Sequence, residues 1–193
     1  LGDGLTRIYE RQIKHYNALV ELDFVLNKNR QEIATNLFII GQTRANITRS
    51  QEAKSIIENP QSMKNISARH DLLLKIYGED LINKVFSYFV SIDALNEDLQ
   101  TTEKFYRTVI ERTLINNDIK LYLANIPELE KQFEVLNKFL ANLMDRTNNV
   151  LARIRVGLSR KPLLTKLIFF AMRGYLKVDE NEIARESKKI EAE

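Results

Sequence analysis

The sequence predicts an all-α fold, an elongated antiparallel four-helix bundle with a short C-terminal helical extension. Apolar residues recur at alternating three- and four-residue spacings over long stretches. Only six glycines and three prolines interrupt 193 residues, and most of them sit where that periodicity lapses. A composition of 44% hydrophobic and 28% charged residues is ordinary globular usage for a chain of this length. The expected organisation is a helical bundle over 1–157. Residues 158–193 then form a basic, apolar helix and a charged tail helix, packed on the bundle or extending from it.

The first helix is expected over about 5–57. Leu5, Ile8, Leu19, Leu22, Leu26, Ile33, Ile40 and Ile47 share one seam, with Gln12, His15, Asn29, Asn36 and Thr43 at its remaining positions. Gly41 is the expected place for a bend or break, because glycine costs about 1 kcal/mol against alanine inside a helix. Asn59-Pro60 stops the element, since a residue before proline is driven out of the helical region.

A second helix is expected over 67–99 on Leu72, Leu73, Ile76, Leu81, Val85, Phe89, Ile92 and Leu95, with Gly78 a point of interruption. Thr101 or Thr102 would cap a third helix running to Leu123, one continuous helix being the alternative. Pro127, followed by Glu128 and Glu130, suits the first turn of a fourth helix. Leu129, Phe133, Leu136, Leu140, Leu143, Thr147, Val150 and Ile154 then alternate four and three without a slip, which calls for a near-aligned helix neighbour. Gly157 and Pro162 frame the expected break after it. Asp179 and Glu182 resemble a capping arrangement for a last, polar helix.

Charge is unevenly placed. Residues 146–178 contain eight cations and no acid, so the rest of the chain, out of a net +3, carries −5. On a helical wheel Lys166, Arg173 and Lys177 form one stripe beside the apolar run 167–172. Arg153, Arg155, Arg160, Lys161, Lys166, Phe169, Phe170, Arg173 and Lys177 are therefore the expected contact for an acidic protein partner or an anionic membrane surface. Nucleic acid is a remote alternative, because the remainder is acidic and no recognised motif accompanies the basic run. The longest apolar stretch, 163–176, falls short of the ~20 residues that span a bilayer. A chain starting at Leu1 rather than Met is expected to be processed or trimmed.

Nothing in the chain points to catalysis. There is no cysteine. The positions three before His15 and His70 are Gln12 and Ser67, which defeats the Glu-x-x-His pairs of a helical di-metal site. Phosphate-loop, dinucleotide, nucleophile-elbow and zincin motifs are missing. No catalytic residue, metal or cofactor is assigned. The expected function is a non-enzymatic structural or adaptor protein that mediates protein–protein association, as a homo- or hetero-oligomer. The alternative is a ligand-sensing bundle in which Tyr9, Tyr16, Asn29, Arg30 and Asn36 frame a polar pocket for a small molecule. Asn29 and Asn36 also suit a second role, fixing register from within the seam.

Overall fold

A computed structural model of the chain describes residues 2–56, 61–159 and 179–192. Among these residues there are four α-helices and no strand: α1 Gly2–Ala53, α2 Glu79–Asn116, α3 Ile119–Ser159 and α4 Glu180–Ala192. The helices pack on one another as an all-α bundle. The chain divides into two compact units through which the long helices pass.

The first unit comprises Leu1–Arg30, Ser67–Val90 and Asp145–Glu193. Its core holds Leu19, Leu22 and Leu26 of α1, Tyr88 and Phe89 of α2, and Val150, Leu151 and Ile154 of α3. Arg153 of α3 meets Asp80 of α2, and Thr147 meets Tyr88, so α2 and α3 run antiparallel here. Arg155 meets Asp23, and a Cβ on Gly157 would stand 3.4 Å from Leu19, so α3 is antiparallel to α1 as well. Within this unit α1 and α2 are therefore parallel. The second unit comprises Gln31–Ile66 and Ser91–Met144. Its core includes Ile33, Ile40 and Ile47, Ile92 and Leu95, and Phe133, Leu136 and Leu140. Tyr106 sets its ring edge on Phe133, and Ser50 shares a buried 3.0 Å hydrogen bond with Tyr122.

Helix boundaries differ from the sequence-based expectation for local reasons. α1 runs through Gly41, because the glycine penalty is smaller than the gain from burying Ile40 and Ile47 on either side. It ends at Ala53, where Lys54 takes a positive φ of 50° and Ser55 N–H returns to the Ser50 carbonyl. Residues 61–69 are not helical, and only a 3-10 turn, His70–Leu74, precedes Gly78. Gly78 has φ 98°, a left-handed conformation that releases the chain into α2.

α2 is continuous past Thr101 and Thr102, the latter facing the core rather than capping. The turn into α3 comes at Asn117, with φ 48°, and Asp118, whose Oδ1 accepts from Lys120 N–H at 2.9 Å. Pro127 consequently lies inside α3 instead of opening a helix. Gly157 likewise lies inside α3, which continues to Ser159. Asp179 does cap α4, accepting from Asn181 N–H at 2.9 Å, and Ile183 and Ile190 bury the one apolar edge of that polar helix.

A Cβ at Gly41 would meet nothing within 4 Å. Gly41→Ala is expected to stabilise the chain by about 0.5–1 kcal/mol through helix propensity alone. Calorimetry should show a melting temperature higher by about 1–4 °C.

Candidate functional site

A segment that is neither helix nor sheet must find partners for its peptide groups, and here side chains supply them. In the second unit the Asn36 amide grips Lys64 from both sides: its Nδ2 donates to the Lys64 carbonyl, and its Oδ1 accepts from Lys64 N–H, each at 2.7 Å. Asn96 of α2 does the same for Ile66, at 2.8 and 2.9 Å. Glu103 accepts from Met63 N–H at 3.0 Å, while Arg107 holds both Glu103 and the Ser62 hydroxyl. In the first unit Asn29 repeats the two-point grip on Ser67, at 2.9 and 3.2 Å, and also donates to the Tyr88 hydroxyl. Thr147 donates to that same hydroxyl at 3.0 Å. The segment is fixed again at Tyr77, whose N–H donates to Nδ1 of buried His15 at 3.1 Å. Arg11 lies 4.6 Å over the Tyr77 ring.

This arrangement bears on the residues named for a small-molecule pocket. Asn29 and Asn36 are fully buried, and both polar atoms of each amide are bonded to the chain's own backbone. Arg30 donates to the Ile190 carbonyl at the end of α4. Tyr9 is exposed and Tyr16 half-buried. Tyr9 lies twenty residues before Asn29 on the same helix, or about 30 Å. The seam asparagines hold the chain's own non-helical segment, a role that helix periodicity does not reveal.

The residues expected to contact an acidic partner fall into two groups. Arg153 is only 8% exposed and bonds Asp80 and Glu180 at 3.0 Å and Asn149 at 3.2 Å. Arg155 bonds Asp23 and Asn27 at 3.2 Å. Both lie on α3, and both fasten it to its neighbours in the first unit. Their charges are matched by acids distant in sequence, so a local count of cations overstates the basic surface. Arg160, Lys161, Lys166, Phe169, Phe170, Arg173 and Lys177 lie outside the described residues.

A surface that the sequence reading passed over stands on α1. Tyr9, Ile13, Val20 and Phe24 are 48, 40, 47 and 70% exposed. At 100° per residue they fall within about 60° of arc, roughly opposite the Leu19–Leu22–Leu26 seam. The 3.6-residue signal of the buried seam dominates the helix, and a second stripe half a turn away is recognisable only once the first is assigned. Arg69 flanks it on one side through its 2.7 Å pair with Glu21, and Arg155 on the other through Asp23. The two charged edges make the stripe an apolar ridge with a polar rim, the layout of an association surface.

No family model, curated protein or solved structure matches this chain.

Asn36→Ala removes both partners of the Lys64 peptide group, and each stranded group costs about 1–3 kcal/mol when buried. Urea denaturation should show a loss of about 2–3 kcal/mol, with faster hydrogen exchange at the Lys64 amide. Asn36→Leu, which keeps most of the volume, should cost as much, because the loss lies in the amide.

Burial holds the His15 imidazole below its usual pKa of 6.5, and its Nδ1 must stay unprotonated to accept from Tyr77. The unfolded chain therefore binds this proton more readily than the folded one. The His15 contribution is fully present above about pH 6.5 and declines as pH falls below it, by at most about 1.4 kcal/mol per pH unit. His15→Gln should flatten that part of the stability–pH profile measured by denaturant titration.

Proposed function

We propose that this chain is a non-enzymatic structural or adaptor protein that mediates protein–protein association, with the outward ridge of α1 as its contact surface in the first unit. The carrying observation is the alignment of Tyr9, Ile13, Val20 and Phe24 along about 22 Å of one helix face. Isolated exposed apolar residues are normal, whereas four on one line, two of them aromatic, form a patch that solvent disfavours. A rigid helix loses little backbone entropy on docking, which suits it to association. The basic, apolar stretch 160–178 belongs to the same proposal as a contact for an acidic partner or an anionic membrane surface, on sequence grounds alone. No helix among the described residues is long and apolar enough to cross a membrane.

The ligand-sensing alternative has less support, because the amides offered for recognition are engaged by residues 64 and 67.

A photo-reactive benzoylphenylalanine placed at Phe24, and separately at exposed Glu97 of α2, tests the reading in cells of the source organism. Adducts that form at Phe24 in preference to Glu97 are expected. Absence of adducts at Phe24, or equal labelling at both positions, would overturn the assignment of the ridge as the contact.

A further inference from the structure

Resting on that reading, we infer that the occupant of the α1 ridge is a second copy of this chain, docked antiparallel about a two-fold axis near Tyr16 and Asn17. A two-fold interface uses one patch twice, so the patch must be complementary to its own reverse. The ridge meets that condition in its spacing. Tyr9 and Phe24 are centred on the same midpoint as Ile13 and Val20, between residues 16 and 17. Reversing one copy therefore sets each Tyr9 against the other copy's Phe24, and each Ile13 against the other copy's Val20. Every apolar residue of the ridge meets an apolar residue, and the ring of Phe24, the most exposed of the four, meets another ring.

The charged flank follows nearly the same symmetry. Lys14 and Glu21 lie on one side of the ridge with their midpoint one residue further along, an offset of about 1.5 Å. The operation that aligns the apolar residues thus brings each lysine beside the other copy's glutamate, which already pairs with Arg69. Two such exposed pairs favour the antiparallel register more than they add affinity.

Area sets the strength. Exposed fractions of 48, 40, 47 and 70% leave on the order of 400 Å² of side-chain surface on each ridge. That is about half of what one partner contributes to an interface of standard size, the rest coming from the flanks. The expected dimer is accordingly reversible, with a Kd on the order of micromolar to tens of micromolar.

Sedimentation equilibrium on the full chain, in a series around ~10 µM, should show a monomer–dimer equilibrium. Ile13→Asp with Val20→Asp should abolish it while leaving the far-ultraviolet circular dichroism and melting temperature unchanged, since both positions face solvent. Because the chain has no cysteine, single introduced cysteines report the register under copper–phenanthroline. Asn17→Cys, beside the axis, should cross-link to itself, and a mixture of Ile13→Cys with Val20→Cys should form the heterodimer. Asn83→Cys, exposed on α2, should not. A chain that stays monomeric throughout, a dimer that survives the double aspartate substitution, or preferential Ile13→Cys self-linking would each overturn the proposal. Phe24 photo-adducts of a mass other than two copies, formed by a chain that is monomeric on its own, would sink the second copy as occupant but leave the association reading standing.

Discussion

The peptide groups of residues 63, 64, 66, 67 and 77 form no helical ladder, and the fold depends on meeting their hydrogen bonds from side chains. Asparagine suits the task because its amide carries a donor and an acceptor in one plane, at nearly the spacing of a backbone peptide. Asn36 and Asn96 in the second unit, and Asn29 in the first, each act as one rung of a β-ladder mounted on a helix. An ionised aspartate at these positions could accept from the N–H but would strand the carbonyl. In the first unit this grip has a topological consequence. α1 and α2 run parallel there, so the chain must return between them, and the ten steps from Ser67 to Tyr77 retrace the fourteen from Asn29 back to His15. A returning α-helix would need about as many residues as the helix it follows, whereas this return, irregular apart from the 3-10 turn His70–Leu74, advances further per residue.

Arg153 applies the same rule to charge. Carrying a guanidinium to 8% exposure is unfavourable unless its donors are met, and Asp80, Glu180 and Asn149 meet them. One side chain thereby ties α3 to α2 and to the start of α4, while Arg155 ties α3 to α1 through Asp23 and Asn27. Along the sequence these arginines read as part of an unbroken basic run. In the folded first unit the acidic majority of the chain reaches across to them, so what matters for a partner is the charge left after such pairing.

Much of the helical architecture was legible in the sequence, because a buried face imposes its period wherever a helix is long. The α3 seam from Leu129 to Ile154 is buried at every predicted position, as is the α1 seam from Leu19 to Ile47. Interruptions were less legible, since their cause is conformational and local. Asn117 adopts positive φ and Asp118 caps the next helix, signals carried by two small polar residues amid many others. Pro127 is a strong helix-start residue in isolation, yet the packing of α3 overrides it. The non-helical segment was the hardest to foresee: Leu72 and Ile76 fit a helical period, although only some of their neighbours are buried, and Leu74 is 89% exposed. The candidate site suffered from the same weakness. Asn29 and Asn36 stood out as polar seam residues, but their partners are backbone atoms, which leave no trace in residue identity.

The exposed ridge of α1 follows from a return that is not an α-helix. An α-helix covers a neighbour over about 10 Å of width, more than irregular backbone does. In the first unit the returning segment reaches the edge of α1 at Glu21 through Arg69 and stops there. On the opposite edge α3 reaches Asp23 through Arg155. Between those two salt bridges lies an arc of α1 that neither neighbour covers, and Tyr9, Ile13, Val20 and Phe24 occupy it. Had a helix returned the chain, its greater width would have closed over the Glu21 edge and enclosed part of the ridge. The asparagine grip and the open apolar face are therefore two results of one arrangement: narrowing the covering segment frees a helix face for association.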